Sequence, residues 1–216
     1  MSATSAAESA AFPSPAKLGV LISGRGSNLQ SLIDAVGAGT LDARIVVVIS
    51  NRPAAAGLAR AREAGIETLT ISHRDFSSRD DFDRTMAGAL TGRGVDLVCL
   101  AGFMRLIGRP MLDAFPNRIL NIHPSLLPAF PGVDAQAQAL AHGVKVSGVT
   151  VHLVTGELDG GPIVLQVCVP ILDDDDVESL SVRILDQEHR IYPEAVNVIL
   201  KGGWSVHGRR LRLTPL

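Results

Sequence analysis

Cysteine is scarce in this 216-residue chain, which contains only Cys99 and Cys168. Two cysteines are too few for a disulfide framework, and both lie in apolar runs, so we expect buried, reduced thiols. An excess of one charge is also missing, because the formal net charge is −2 and the pI is about 6.3. This balance provides no basic field of the kind that a nucleic-acid partner requires.

Long apolar runs are absent too, and none approaches the roughly 20 residues of a membrane-spanning helix. The leading sequence MSATSAAESAAFPSPAK has neither a basic first segment nor a long apolar stretch, unlike a secretory signal. Its Ala-, Ser- and Pro-rich composition predicts a disordered tail over residues 1–16. We therefore expect a cytoplasmic protein with one domain over residues 17–216, whose 46% hydrophobic content suffices for a substantial core.

Short apolar runs alternate with helical patterns through the first half of the chain. The predicted strands cover residues 18–22, 44–50, 66–71 and 95–101, and a fifth ends near Ile122. Their β-branched, continuous runs in a βαβαβαβ order predict a parallel sheet with helices on both faces. Two later strands are expected to pair antiparallel, followed by a long helix and a hairpin, over residues 149–154, 162–171, 176–200 and 204–213. The sequence thus predicts one α/β domain with a Rossmann-like, open, mixed and mostly parallel sheet.

A glycine-rich loop, SGRGSN at residues 23–28, joins the first predicted strand to the first helix. Glycine lets the backbone approach a ligand, and a helix N-terminus offers unpaired N–H groups and a positive dipole end. Gly24 and Gly26 match the start of a dinucleotide fingerprint, but Leu29 stands where the third glycine belongs. The loop is therefore either a monophosphate site or a plain tight turn.

Two polar side chains end the fifth predicted strand, in ILNIHPSLLPAFPG at residues 119–132. Asn121 and His123 face the same side of the strand, at the carboxyl end where open α/β sheets bind ligands. A histidine can accept a proton, and an imidazolium or an amide can donate to a developing oxyanion. The alternative is a hydrogen-bonded core histidine beside an asparagine that caps the strand.

A carboxylate would complete this pair by orienting the imidazole and raising its pKa above the usual value of about 6.5. Asp159 is the best candidate, because Gly160 and Gly161 follow it in a loop between the two antiparallel strands, although an ordinary turn can also contain such an acid. The acidic run 173–176 is instead expected to match the dipole of the following helix. The histidine and cysteine spacings are not those of metal sites, so we expect no metal.

Five motifs in order, between about Lys17 and Gly202, resemble the phosphoribosylglycinamide formyltransferase family, the folate-dependent transformylases of purine biosynthesis. They are LISGRGSNLQ (21–30), AGFMRL (101–106), NIHPSLLPAFPG (121–132), GVTVHLVTGELDGGPIVLQ (148–166) and QEHRIYP (187–193). The resemblance implies the formyltransferase fold and transfer of a formyl group from 10-formyltetrahydrofolate, the co-substrate, to the amine of glycinamide ribonucleotide. It implies no metal or prosthetic group.

The resemblance also implies roles for individual residues. The family's catalytic trio matches Asn121, His123 and Asp159. The residues that hold glycinamide ribonucleotide match Gly26, Ser27, Asn28 and Glu188. The folate-contacting positions match Arg79, Met104, Arg105, Leu106, Ile107 and Asn121, together with the loop that closes over the pterin, Thr155, Gly156, Glu157, Leu158 and Asp159.

In the chemistry that the resemblance implies, Asn121 and protonated His123 stabilise the oxyanion that forms when the amine attacks the formyl carbon. Asp159 holds the imidazolium and helps a water move the proton from the amine to the departing folate nitrogen. The chain departs from the family pattern at Ala129, a commonly basic position, and at residues 133–138. There Asp134 occupies a position where the family often has a histidine.

Three other classes of protein share part of this pattern. Formyltetrahydrofolate hydrolase has the Asn-x-His and Leu-Asp-Gly motifs but carries a regulatory domain in front, and methionyl-tRNA formyltransferase needs a basic C-terminal domain. The alternatives that we retain are a hydrolase without its regulatory domain and a non-catalytic nucleotide-binding module. We expect only small-molecule partners, no nucleic acid or membrane, and a monomer or homodimer.

Overall fold

A mixed sheet runs through the molecule in the computed structural model, which describes residues 9–214. In this range the strands are β1 (Ala16–Ile22), β2 (Ala43–Ser50), β3 (Thr68–Thr70), β4 (Leu97–Leu100), β5 (Ile119–His123), β6 (Val146–Leu153), β7 (Ile163–Pro170), β8 (Trp204–His207) and β9 (Arg210–Leu213). The helices are α1 (Ser27–Gly37), α2 (Gly57–Glu63), α3 (Arg79–Thr91), α4 (Arg109–Ala114), α5 (Ala135–Ala141) and α6 (Val177–Leu200). None of these helices combines the length and the apolar character that a transmembrane span requires.

The sheet has the order β3-β2-β1-β4-β5-β6-β7-β9-β8. Strands β1 to β5 pair in parallel, whereas β6 is antiparallel to both β5 and β7. The mostly parallel mixed sheet and the antiparallel pair of later strands are therefore confirmed. The hairpin of β8 and β9 is also confirmed, and it joins the edge of β7 through β9.

Continuous apolar runs form the central strands because helices cover both faces of the sheet. Leu18 and Val20 of β1 belong to a buried cluster that includes residues of α1 and α6. Leu21 of the same strand points to the other face, where it belongs to a cluster with Phe82 of α3 and Met111 of α4. The alternation within one strand thus divides the core into two layers.

The long helix α6 begins at a capping box, in which the Asp176 side chain accepts from the Ser179 N–H at 2.8 Å. This confirms the expected match between the acidic run and the helix for Asp176. The neighbouring acids have other partners, since Asp173 pairs with Lys145 and Asp175 with Arg183.

Two expectations about local structure are wrong. Cys168 is exposed rather than buried, because residues on the edge-side strand β7 alternate between core and surface, whereas Cys99 on central β4 is buried. The sequence pattern also misses α4, which has only six residues and begins with a proline in its first turn. Six residues are too few for a helical period to be recognised.

The predicted tail of residues 1–16 is only partly within the described range, since residues 1–8 lie outside it. The Ser9 N–H donates to the Trp204 carbonyl at 2.8 Å, and the Phe12 N–H donates to the Leu200 carbonyl at 3.0 Å. Phe12 also packs against the core. From Ser9 onward the chain therefore packs on the domain instead of forming a tail.

Candidate active site

Asn121 and His123 lie at the carboxyl end of β5, where the parallel part of the sheet meets the antiparallel part. Because β6 runs opposite to β5, Asn121 is paired with His152 and His123 with Thr150 across the ladder. Residues directly opposite each other in an antiparallel pair place their side chains on the same face. The change of strand direction therefore gathers polar side chains of two strands at one edge of the sheet.

The His123 imidazole is buried and contacts a partner at each ring nitrogen. Its Nε2 lies 2.8 Å from the Phe130 carbonyl oxygen, and its Nδ1 lies 3.5 Å from Oδ2 of Asp159. A carbonyl only accepts hydrogen bonds, so Nε2 carries a hydrogen. Protonation of Nδ1 would then turn the contact with Asp159 into an ion pair.

The pKa of His123 is lowered, contrary to the expectation that a carboxylate raises it. Burial is the main cause, since it disfavours the charged imidazolium, and the nearby His152 acts in the same direction. The Phe130 carbonyl and the Asp159 charge oppose this effect but do not overcome it. The predicted partner is therefore correct, while the predicted direction of the pKa is wrong.

Asp159 reaches the histidines from the loop between β6 and β7. Its backbone has φ 49°, a left-handed conformation that aspartate tolerates better than most residues. Its Oδ2 accepts from the Gly132 N–H at 2.8 Å. Burial disfavours the carboxylate, but hydrogen bonds and the two neighbouring histidines outweigh burial, so the pKa of Asp159 is lowered.

Gly161 explains why glycines follow this aspartate. A Cβ at Gly161 would lie 1.7 Å from the Leu153 carbonyl oxygen, so no other residue fits without moving the backbone. The loop therefore returns close against the end of β6, which places Asp159 over the histidines. The sequence prediction of close backbone approach is confirmed at this position.

His152 is a site residue that the sequence analysis overlooks. Its Nε2 lies 3.2 Å from Nδ2 of Asn121 and 3.7 Å from Oδ1 of Asp159, and its Nδ1 lies 3.0 Å from the Leu153 carbonyl. The Nδ1 hydrogen thus donates to that carbonyl, which leaves Nε2 to accept from Asn121. A signal was present in the alternation VTVHLV, in which Thr150 and His152 are polar at every second position.

The proline-rich loop after His123 is attached to β6 by buried hydrogen bonds. Thr150 donates its hydroxyl to the Ser125 carbonyl at 2.7 Å and accepts from the Leu127 N–H at 3.0 Å. Gln166 of β7 donates to both the Leu127 carbonyl and Thr150 at 2.9 Å. These bonds fix the loop whose Phe130 carbonyl holds the imidazole.

Gln138 gives the unusual segment 133–138 a structural role. Its amide donates to the Val133 carbonyl at 2.8 Å and to the Pro131 carbonyl at 3.3 Å. The segment therefore supports the same loop from its outer side, while Asp134 is exposed at the start of α5.

The first loop leads into α1 without a side-chain cap. Gly26 occupies the N-cap position with φ 73°, and a Cβ there would lie 2.6 Å from the Cα of Gly57. The first-turn N–H groups of Ser27 and Asn28 are therefore not satisfied by a capping side chain. Beside this helix lies a cavity of about 350 Å³ lined by Ser27, Gln30, Ser31, Asp34, Arg60 and His189.

Asn28 and Glu188 form a second buried polar contact. Asn28 Nδ2 donates to Glu188 Oε2 at 2.8 Å, across 160 positions of the chain. The other amide atom, Oδ1 of Asn28, is buried without a hydrogen-bond partner among the described residues. Burial raises the pKa of Glu188 to about 7, against the lowering effects of Asn28 and Arg25.

The segment 104–107 exposes apolar side chains beside α3. Met104 is 60% exposed and Leu106 54%, whereas Ile107 is buried. The guanidinium of Arg79 approaches the end of this segment, since its Nε lies 3.3 Å from the position of a Cβ on Gly108. The loop 155–158 exposes a further apolar side chain, Leu158, at 56%.

The structure thus brings Asn121, His123 and Asp159 together, and it separately joins Asn28 to Glu188 and Arg79 to the end of the segment 104–107. An amide, an imidazole and a carboxylate around one point at a sheet edge form a site suited to attack on a carbonyl carbon. The fold and the site therefore define a class: open α/β proteins with a site for carbonyl chemistry at the carboxyl end of the sheet.

The particular family follows from comparison with known proteins. The formyl transferase family matches residues 16–196, and the chain belongs to this family. Phosphoribosylglycinamide formyltransferase of Escherichia coli is 43% identical over 188 residues, which are 87% of this chain and 89% of that protein. Glycinamide ribonucleotide transformylase 1 of Symbiobacterium toebii has a similar structure, with a TM-score of 0.91, 56% identity and coverage of 93% and 94%.

Some relatives are much longer than this chain. The trifunctional purine biosynthetic protein adenosine-3 of Drosophila melanogaster is 50% identical over 188 residues. Those residues are 86% of this chain but only 14% of that protein. The chain therefore corresponds to one part of such relatives.

Proposed function

We propose that this chain transfers the formyl group of 10-formyltetrahydrofolate to the amine of glycinamide ribonucleotide, a reaction of de novo purine biosynthesis. The observation that carries the proposal is the convergence of Asn121, His123 and Asp159 at the end of β5, in a member of the formyl transferase family. Two relatives that align with this chain over most of their own length are named phosphoribosylglycinamide formyltransferase.

The trio matches the needs of formyl transfer. The amine of the ribonucleotide attacks the formyl carbon, and the carbonyl oxygen becomes a tetrahedral oxyanion. Asn121 has two amide hydrogens and uses one toward His152, so the other is free to donate to that oxyanion. His123 takes up a second proton from water as the negative charge forms, and Asp159 stabilises the resulting imidazolium at 3.5 Å. The proton returns to water when the oxyanion collapses and the carbonyl re-forms.

Proton transfer completes the reaction. The amine nitrogen carries an extra proton after attack, and the departing folate nitrogen needs one. Asp159 is ionised, because its pKa is lowered, and it can hold a water that carries this proton between the two nitrogens. Holding both substrates in one orientation supplies much of the rate enhancement. The chemistry calls on no metal ion.

The ribonucleotide is proposed to bind along α1. The uncapped N–H groups at Gly26, Ser27 and Asn28 and the helix dipole suit its phosphate. Glu188 accepts from Asn28 and lies on α6, where it is proposed to meet the same substrate. Oδ1 of Asn28, which has no partner in the part of the chain that the structure describes, is an acceptor for a donor of that substrate.

The folate is proposed to bind between the segment 104–107 and the loop 155–158. Both expose apolar side chains, Met104 and Leu106 in the first and Leu158 in the second, that a pterin ring would cover on binding. Arg79 supplies a positive charge beside the first of these segments, suited to the acidic tail of a folate.

A direct test mixes the purified chain with 10-formyltetrahydrofolate, with and without glycinamide ribonucleotide. We expect loss of formyl-folate only in the presence of the ribonucleotide, together with a formylated ribonucleotide product. Loss without the ribonucleotide would instead identify a hydrolase. No loss in either mixture would favour a non-catalytic nucleotide-binding module. Cytoplasmic location and the choice between monomer and homodimer stay predictions.

A further inference from the structure

The backbone at residues 104–108 is held at its two ends by buried polar side chains. We call these five residues the apolar segment. At its start, the Met104 N–H donates to Oγ of Ser23 at 2.8 Å. At its end, the Gly108 N–H donates to Oδ2 of Asp83 at 2.6 Å. Ser23 and Asp83 are both buried, and the bond between Gly108 and Asp83 is fully buried and thus shielded from competing water.

The hydroxyl of Ser23 is itself oriented by Asn51, the residue that follows β2. Its hydroxyl donates to Oδ1 of Asn51 at 2.6 Å, which leaves its oxygen free to accept from Met104. Nδ2 of Asn51 in turn lies 3.3 Å from Nδ1 of His73. The residues that follow β1 and β2 thus form a short chain of hydrogen bonds that ends on the apolar segment.

Burial of the Asp83 carboxylate costs folding free energy, which indicates that the residue has a role at this position. Its side chain is fully buried on α3, and its Oδ1 has no hydrogen-bond partner among the described residues. Burial raises the pKa of Asp83, and the Gly108 N–H and the guanidinium groups of Arg79 and Arg105 oppose this effect without overcoming it. A buried carboxylate of this kind requires a compensating interaction, and its direct one is the Gly108 N–H.

The Asp83 carboxylate is accommodated by the absence of a side chain at Gly108. Its φ of −98° is open to any residue, so backbone conformation does not call for glycine. A Cβ there would lie only 2.6 Å from Oδ2 of Asp83 and 3.3 Å from Nε of Arg79. A larger residue at this position would therefore displace the Asp83 carboxylate, which approaches the backbone closely.

We infer that Ser23 and Asp83 are positioning residues, which hold the backbone of the apolar segment so that Met104 and Leu106 stay exposed for the folate. The inference rests on the proposed function, because it is the folate that would cover these side chains. Neither residue needs to touch a substrate. Their effect passes through the backbone of the segment, from its two ends toward the exposed side chains between them.

The test replaces Asp83 by alanine and by asparagine, and measures KM for both substrates. Asp83→Ala removes the acceptor, and we expect KM for 10-formyltetrahydrofolate to rise about tenfold while KM for glycinamide ribonucleotide stays within twofold. Asp83→Asn keeps a carbonyl oxygen for Gly108, so KM should return to within about threefold of the wild-type value. An asparagine variant as impaired as the alanine variant, or equal changes in both KM values, would overturn the inference.

Matched controls separate positioning from general destabilisation. Asp96 also accepts a backbone N–H, that of Lys17 at 2.8 Å, but at the opposite end of β4. Asp96→Ala should leave both KM values unchanged. Ser23→Ala should raise KM for the folate about threefold. Ser147→Ala, which removes a buried hydroxyl that has no partner within residues 9–214, should not. The serine pair decides the matter even if Asp83→Ala fails to fold.

Amide hydrogen exchange tests the same inference without catalysis. We expect residues 104–108 to exchange at least tenfold faster in Asp83→Ala than in Asp96→Ala, with strand β5 unchanged. Unchanged exchange in the segment would overturn the inference. If the wild-type chain transfers no formyl group, the proposed function fails, and the exchange result still decides whether Ser23 and Asp83 hold the segment.

Discussion

The buried polar clusters around His123 and around Glu188 differ in how completely their atoms are partnered. Around His123, both ring nitrogens, the Asp159 carboxylate and the Asn121 amide contact one another, His152 or fixed backbone groups. Around Glu188, the one hydrogen bond comes from Asn28, whose own Oδ1 is left without a partner in the described part of the chain.

This difference indicates that the two clusters have different roles. A cluster whose groups are already oriented can stabilise a transition state without reorganisation. A cluster with an unsatisfied acceptor and a carboxyl group that burial disfavours is destabilised until a ligand supplies donors. We therefore propose that the first cluster carries out the chemistry and that the second binds substrate.

The largest expected effect comes from removing the Asp159 charge from the cluster around His123, whose polar side chains each have a partner and which we call the complete cluster. Asp159→Asn should lower kcat about 1000-fold, because the imidazolium of His123 loses its counter-charge, while the affinity for glycinamide ribonucleotide changes less than threefold. Steady-state kinetics and calorimetric titration measure the two quantities. Asp134→Asn, an exposed acid that begins α5, is the control. Equal losses in turnover and affinity would remove the distinction between the clusters.

The cluster of Asn28 and Glu188, which we call the incomplete cluster, should instead lower the stability of the protein. The pKa of Glu188 is raised from 4.5 to about 7, so its charged form costs up to about 3 kcal/mol. This cost is absent below pH 4.5, grows as the pH rises, and is complete above pH 7. Glu188→Gln should therefore raise the free energy of unfolding at pH 8 by up to that amount, with little change near pH 4.5.

Urea unfolding at the two pH values measures this effect. Glu194→Gln, on the same helix but exposed and paired with Arg190, should change stability by less than about 0.5 kcal/mol at either pH. A Glu188→Gln variant with the same stability gain at both pH values would show that burial of charge is not the cause.

The loop that delivers Asp159 depends on Gly161. Gly161→Ala should destabilise the protein by about 2 kcal/mol or more, because its Cβ would overlap the Leu153 carbonyl oxygen. Thermal unfolding measures the loss. Gly156→Ala is the matched control for stability, since a Cβ there meets no atom within 4 Å. Equal melting temperatures for the two variants would contradict the described path of the loop.

The smallest effect is expected at His152, which orients two members of the complete cluster. His152→Phe should lower kcat about tenfold, because Asn121 and Asp159 each lose a contact but keep their place in the backbone. His207→Phe, in the exposed hairpin, should not change kcat. A His152→Phe variant with unchanged kcat would show that Asn121, His123 and Asp159 keep their orientation without His152.

Sequence patterns predicted Asn121, His123 and Asp159 because each has a signal in the residues next to it in the chain. Alternation put the first two on one face, and two glycines marked the close approach of the third. His152 was missed because its pairing with Asn121 depends on the register between strands, which separate segments of sequence do not encode. The direction of the His123 pKa was wrong for a similar reason, since burial depends on the whole fold.

The contacts proposed to hold the apolar segment could not be predicted from the sequence either. Asp83 lies on a helix whose other acids, such as Asp80 and Asp81, are exposed, and its own burial follows from its packing beside Gly108. The parallel sheet, by contrast, followed directly from its continuous apolar strands. The architecture of the sheet was therefore more predictable than the polar contacts at its edge.

Kinetic coupling between His123 and Asp159 tests the central claim most directly. Turnover of glycinamide ribonucleotide and 10-formyltetrahydrofolate is measured for His123→Gln, for Asp159→Asn and for the double variant. If the two side chains act as one unit, kcat of the double variant lies within about threefold of the slower single variant. Losses that multiply, so that the double variant is slower by the product of the two single effects, would contradict the account.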